Sequence, residues 1–452
     1  MRVLHTSDWH LGTSIEQVDC GPEHARFLDW LSDTIREREI DVLVVSGDIF
    51  HYQNPGSQDE KLYYDFLVEC ARIDTLRKVV VVAGNHDSPS GLEAPAAVLG
   101  ALDVRVVGRI PRDREDWDEC LVPIEGDSGE VELVVAAVPY VREAQLGVRT
   151  QDDGERGLRE RYRQAFADLY GVLAERAADK WPDAARMTTG HLTVYGEDDE
   201  AREGDFHTGI HRTSRPRPDD RRDGFEGRDI GAIQAMDPGI FGAGWDYVAL
   251  GHIHRPMPVG GARHIRYSGT PVPTTKEEDT PRRQVVEIGF GSGQQLDLTG
   301  AGQAELTVDP VTVPRWRDIL ELRGTVEGLK EKLRNLSTDG ELPAAVYVIV
   351  EVESDEFIGN YLSALNEVLA EAFPDADERP IIVGNREESI GDGRASEDDE
   401  RDVPPFEEMD HIEVFRRMYE KKNPDADGPG DRLVDAFHEI LADYQGRDEG
   451  ER

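Results

Sequence analysis

The sequence predicts an α/β fold, and two observations carry that prediction. Short continuous apolar runs of strand length, DVLVVSGD over Asp41 to Asp48 and KVVVVAGNHD over Lys78 to Asp87, lack polar alternation. That is the pattern of strands covered on both faces. Around them, Phe27, Leu28, Leu31 and Ile35, and later Leu62, Phe66 and Ala71, recur at helical spacing. Strands alternating with amphipathic helices build layered α/β domains. The apolar runs also end in side chains able to hold a metal ion.

The first element is the run at Val3 and Leu4, which stops in LHTSDWHLG, where Asp8 and His10 stand one residue apart. The run ending at Asp48 is followed by His51, and the next ends in Asn85, His86 and Asp87. Further strands are expected at VELVVAAVPY (131–140), RMTTGHLT (186–193, with His191), YVALGHIH (247–254, with His252 and His254), IRYSG (265–269) and QVVEIGF (284–290). These form a first domain over residues 1–305, with the polar, Arg- and Asp-rich stretch 196–230 as a surface insertion.

Residues 306–387 read as a compact α+β domain: a helix at WRDILELRGTVEGLKEKL, a strand at AAVYVIVEV, a helix at YLSALNEVLAEAF and a strand at PIIVG. Residues 388–405 are acidic, carry Gly and Pro and have no period, so they read as a linker. Residues 406–446 contain two amphipathic segments. One has an apolar face of Met409, Ile412, Phe415 and Tyr419, the other Leu433, Phe437, Ile440, Leu441 and Tyr444.

A chain of 452 residues implies more than one domain. Its 51 Lys and Arg against 93 Asp and Glu leave a formal charge of −42, while 38% hydrophobic content argues against wholesale disorder. So acidic a surface stays hydrated in a cytoplasm rich in salt, where the Debye length shrinks to about 3 Å at 1 M. A halophilic source is therefore expected, with an acidic mesophilic protein as the alternative. Cys20, Cys70 and Cys120 are widely spaced and odd in number, which excludes a disulfide framework or a zinc ribbon. No run approaches the about 18 apolar residues of a membrane span, and the N-terminus enters a strand directly, so a cytoplasmic protein is expected. No G-x-x-x-x-G-K-[ST] loop occurs, which leaves ATP binding to another chain.

In layered α/β folds the loops after strand C-termini converge on one edge. Five such strand ends here would deliver Asp8 with His10, Asp48 with His51, Asn85 with His86, His191, and His252 with His254 to one place. For any one of these residues an ordinary hydrogen-bonded histidine is the competing reading, and His5 is read that way. The ordered combination points to a metal site. Mixed carboxylate, imidazole and amide donors suit manganese or iron better than a thiolate zinc site. Gly47, Gly84 and Gly251 beside the ligands fit turns that need positive φ or close backbone approach.

The stretches DWH, GD, GNHD, GH and GHIH resemble the five signatures of the calcineurin-like metallophosphoesterases. LHTSDWHLG, FLDWL, GDIF, AGNHDS and YVALGHIHRPMPVGGARHIRYSGTPVP resemble more specifically the SbcD-type nuclease subunits, densely over residues 1 to about 290 and more loosely over 310–385. The resemblance implies a β-sandwich flanked by helices, with residues 306–387 as a capping domain, and a haloarchaeal member in view of the acidity. It implies two ions: one on Asp8, His10, Asp48 and His254, the other on Asp48, Asn85, His191 and His252, with Asp48 bridging. A bridging carboxylate can hold two divalent ions about 3.5 to 4 Å apart. Manganese is the expected metal.

On the same resemblance His86 is catalytic, Asp87 orients it, and His51 matches a second active-site histidine of archaeal and eukaryotic relatives. Many bacterial relatives carry another residue there, so a loop histidine touching the DNA backbone is the alternative for His51. The implied partners are DNA (double-strand ends, hairpins or single strands), a coiled-coil ABC-type ATPase bound by residues 406–446, and a second copy of the chain. The metal shell alone also fits a stand-alone metallophosphatase or phosphodiesterase, and a non-catalytic DNA-binding scaffold is a third reading. Acidity opposes polyanion binding, which local Arg clusters such as Arg212 to Arg222 would have to offset.

Overall fold

The computed structural model describes residues 1–15, 18–142, 145–148, 154–196, 236–275, 278, 283–296, 302–336, 345–354, 361–374 and 379–389. The chain divides into a unit spanning Met1–Glu388 and a second, Ser389–Arg452. The expected insertion beyond residue 196, the linker beyond residue 389, Arg212 to Arg222 and the segments at 406–446 lie outside the described residues.

The chain opens with β1 (Arg2–Thr6), the paired β2 (Ser14–Ile15) and β3 (Val18–Asp19), α1 (Gly21–Glu37), β4 (Val42–Ser46), α2 (Ser57–Cys70) and β5 (Lys78–Val82). The short helices α3 (Pro89–Glu93) and α4 (Ala96–Gly100) lead to β6 (Val104–Val107). Strands β1, β4, β5 and β6 run parallel. Alternate residues divide between two cores: Val42, Val44, Val80 and Val82 enter one, Leu43, Val45, Val79 and Val81 the other. This is why the runs are apolar without alternation. The helix predicted from Phe27, Leu28, Leu31 and Ile35 is α1, and it buries all four against the second core. Each such side chain contributes roughly 1.5 to 3 kcal/mol on full burial.

Next come β7 (Leu121–Glu125), β8 (Val131–Ala136), α5 (Gly154–Lys180), β9 (Ala185–His191), β10 (Tyr247–Gly251), β11 (Met257–Val259) and β12 (Ala262–Tyr267). They build a second six-stranded sheet in the order β11-β12-β10-β9-β8-β7, in which β8, β9, β10 and β12 are parallel. Both sheets feed one core, into which α5 sends Tyr162, Phe166, Leu169, Tyr170 and Leu173. Those five positions follow helical spacing, yet α5 is absent from the sequence reading because charged residues crowd its exposed side.

The first sheet is completed by β13 (Gln284–Leu296) and β14 (Gly302–Thr312), giving the order β14-β13-β1-β4-β5-β6. This corrects the expected boundary at 305/306, because the β13-β14 ladder pairs Gln284 with Thr312 and so holds the chain in the first sheet to residue 312. Beyond it stand β15 (Arg317–Gly324), α6 (Val326–Arg334), β16 (Ala345–Ser354), α7 (Tyr361–Ala372) and β17 (Ile381–Ser389). The helix expected from Trp316 is corrected too. Residues 317–324 pair in parallel with β16, and a helix begins only where Thr325 caps it, its side chain accepting from the Gly328 N–H. Val346, Val348, Val350 and Val352 form one face of β16 and pack with Leu329 and Leu333 of α6 and Leu365 and Leu369 of α7.

Candidate metal centre

The C-terminal ends of β1, β4, β5, β9 and β10 meet at the edge shared by the two large sheets, as expected for layered α/β folds. Beyond β1 and β4 the backbones keep bonding: the N–H groups of Asp8, His10 and Leu11 donate to the carbonyls of Gly47, Asp48 and Ile49 at 3.0, 3.1 and 2.9 Å. Asp8, His10, Asp48 and His252 all have left-handed backbones, with φ of 53°, 48°, 51° and 92°. Each such non-glycine residue costs about 1 to 3 kcal/mol, and such strain clusters at functional sites. Here it sorts neighbours by direction. Asp8 and His10 turn to the site, while Trp9 between them is buried against Phe27 and Phe66.

Two glycines make the approach possible. Gly47 has φ 92°, and a Cβ there would strike the His191 ring and the Gly84 backbone. At Gly84 a Cβ would collide with the Asp48 carboxylate and its backbone nitrogen.

Asp48 stands at the middle. Its Oδ2 lies 3.3 Å from His191 Nε2 and 3.5 Å from His10 Nε2, and its Oδ1 accepts from the His86 N–H at 2.9 Å. On one side His10 Nε2 and His254 Nε2 face each other at 3.0 Å. On the other, Asn85 Oδ1 is 3.0 Å from both His191 Nε2 and His252 Nδ1. Ligand atoms of Asp8, His10 and His254 lie within 4.8 Å of one another, as do those of Asp8, Asp48 and His191, and those of His10, His51 and His86. All seven residues expected to hold metal are thus brought together.

The surrounding groups fix the imidazoles. His191 Nδ1 donates to the Ser46 carbonyl at 2.8 Å, and His254 Nδ1 donates to Glu278 Oε1 at 2.7 Å. Glu278 Oε2 accepts from the Thr274 N–H at 3.0 Å and its hydroxyl at 2.7 Å. The sequence reading missed Glu278, which lies 24 residues from its partner in an acidic stretch with no periodicity. The Asp8 carboxylate accepts from the Ser7 hydroxyl at 2.5 Å and the His252 N–H at 2.9 Å.

His86 Nδ1 donates to the His51 carbonyl at 2.8 Å, and the His51 ring lies against His86 with centroids 5.6 Å apart. Asp87 does not orient His86, which corrects that expectation. Its carboxylate instead accepts the N–H groups of Ile49, Phe50 and Gly84 at 3.1, 3.0 and 2.8 Å, tying the loops after β4 and β5 together. Asp87 is fully buried. His5 is structural as expected, its Nδ1 3.2 Å from the Tyr247 hydroxyl.

Burial raises the Asp8 carboxyl above the usual carboxylate range, whereas at Asp48 the adjoining His191 and His10 outweigh burial and hold it well below that range. Burial alone would lower His191 and His254. Asp48 raises His191 to about 9 instead, and Glu278 does the same for His254. Burial depresses His10 well below its ordinary value and His252 to about 3. The chain on its own therefore gathers protons between its carboxylates and two of its imidazoles. Divalent ions fit this donor set: convergent nitrogen and oxygen lone pairs around buried carboxylates, with protons to be displaced on binding.

Residues 1–256 match the family described as Calcineurin-like phosphoesterase, and residues 315–423 match the Type 5 capsule protein repressor C-terminal domain. The chain is 33% identical over 334 residues to the SbcD subunit of the nuclease SbcCD from Rhodobacter capsulatus, covering 72% of this chain and 73% of that one. It is 28% identical over 385 residues to the protein of the same name from Escherichia coli K12, covering 83% of each. The Bacillus subtilis protein of that name is 29% identical over 297 residues, covering 65% of this chain and 68% of its own.

Proposed function

The chain belongs to the SbcD-type nucleases of the calcineurin-like phosphoesterases, and on that premise we propose that it hydrolyses phosphodiester bonds at DNA ends with two divalent ions, manganese in the first instance. One observation carries the two-ion reading: Asp48 reaches imidazoles of both ligand groups through a single carboxylate oxygen. On that basis Asp8, His10, Asp48 and His254 would hold one ion, and Asp48, Asn85, His191 and His252 the other. When bound, such a pair supplies Lewis acidity toward the phosphate and a water of lowered pKa.

The chain's own residues do the rest. Asp48, in contact with His10 of one half and His191 of the other, sets the spacing between them, while Asn85 joins His191 and His252 within the second half. The His51 carbonyl accepts from His86 Nδ1–H, which leaves Nε2 for the substrate. With the ring in its imidazolium form, Nε2–H would donate its proton to the leaving oxygen, returning the ring to the neutral Nδ1–H form, and would stabilise charge developing on the phosphate. His51 lines the same wall. Asp87 locks the loops that carry Asp48 and His86.

The name shared by the relatives marks them as one subunit of a nuclease, which supports a partner for this chain, read as an SbcC-like coiled-coil ATPase. The amphipathic residues 406–446 are the proposed contact, and a homodimer the proposed core of the complex. A charge of −42 supports a salt-rich cytoplasm, with a haloarchaeal source as the reading. No helix among the described residues is long and apolar enough to cross a membrane. The test is manganese-dependent cleavage of a duplex DNA end in high salt, compared with hydrolysis of a generic aryl phosphate. Hydrolysis of the aryl phosphate with DNA left intact would favour a stand-alone phosphatase and refute the nuclease.

A further inference from the structure

Tyr52 follows His51 on the loop after β4 and is 55% exposed, although its ring is large and mostly apolar. The ring meets His51 edge-on, with centroids 4.5 Å apart and planes at 78°. His51 lies nearly parallel to His86, at 5.6 Å and 24°, and His86 meets His10 at 4.9 Å. Four rings thus run from a buried ligand of the metal centre to an aromatic surface in water. A phosphodiester held at that centre carries flat bases on its neighbouring nucleotides, and this wall is where a flat partner can lie.

We propose that Tyr52 is a stacking platform for a base flanking the scissile phosphate. It is a positioning residue that registers the presence of a base rather than its identity, since every base offers a π-face. The inference rests on the DNA-nuclease reading above. The charge of the chain strengthens it. At −42 the protein gains little from general attraction to phosphates, and salt weakens what attraction there is. Stacking has no net charge to screen, so it is a contact this chain can rely on in high salt.

The test uses the full-length protein with saturating manganese and two duplex ends that differ only at the nucleotides flanking the cleaved bond, natural in one and abasic in the other. Tyr52→Ala is expected to raise KM on the natural end roughly 5- to 100-fold with kcat little changed, the loss typical of one base stack. Tyr52→Phe, which keeps the π-face, should stay close to wild type. On the abasic end wild type and Tyr52→Ala should behave alike. Equal losses on both ends would overturn the proposal, because Tyr52 would then only prop His51. Wild-type behaviour of Tyr52→Ala on the natural end would overturn it as well. A wild-type protein that hydrolyses a small phosphodiester but cuts neither DNA would instead overturn the nuclease reading, and the stacking role with it.

Discussion

Replacing Glu278 by Gln tests whether the metal centre depends on a residue that holds no metal itself. Glu278 is 9% exposed, and its two oxygens take three donors: His254 Nδ1–H on one, and the N–H and hydroxyl of Thr274 on the other. The amide has the same shape but only one accepting oxygen. Its NH2 must face either His254 or the Thr274 N–H, donor against donor, and the negative charge that fixes His254 is gone. A hydrogen bond to a charged group is worth about 1.5 to 3 kcal/mol, and removing such a partner of a ligating histidine typically weakens metal binding about 10- to 100-fold. The loss should fall on one of two binding events, because Glu278 holds His254 and Thr274, whereas His191, His252 and Asn85 are held by one another, Asp48 and the Ser46 carbonyl. Manganese titration followed by the paramagnetic signal of the free ion, at fixed pH and high salt, would separate the two. Thermal unfolding in chelator would confirm that the fold survives. Two unchanged binding events, or equal weakening of both, would refute the reasoning.

Four further outcomes are expected. Asp48→Ala should abolish hydrolysis and lower metal content while DNA binding persists; elemental analysis finding two ions per chain would contradict the bridging role. His86→Ala should keep its metal and lose roughly 100- to 1,000-fold in rate, the cost of deleting one transition-state donor, and paired rate and metal measurements would show whether the two effects separate. A chain ending at Asp402 should retain basal nuclease activity and lose co-purification with the ATPase, whereas undiminished capture would remove residues 406–446 from the interface. His5, which burial pushes down to about 3, refuses a proton in the folded chain that the unfolded chain accepts below about 6.5. Stability should therefore fall as pH drops from 6.5 toward 3, by up to about 1.4 kcal/mol per pH unit from this residue, and chemical denaturation should show a shallower slope in His5→Gln.

The sequence by itself determined the layered α/β class and the strand-end carboxylates, imidazoles and amide that the fold gathers in one place. Strand runs and ligand pairs are local signals. A strand buried on both faces must be apolar throughout, and a ligand at its end must follow directly, so DVLVVSGD and YVALGHIH are legible without coordinates. The helix α1 was legible for the same reason, its buried face repeating every three or four residues.

Tertiary structure decided what depends on pairing across long separations. Residues 317–324 could be helix or strand on their own pattern, and the neighbouring β16 made them strand. The end of the first domain was set by the β13-β14 ladder rather than by a change in composition. Only the fold could show that Asp87 braces backbone amides instead of the His86 ring, or that Glu278 reaches His254 across 24 residues. A buried carboxylate takes whichever donors the packed chain leaves unpaired, and that choice is made in space, after the strands have fixed where the loops begin.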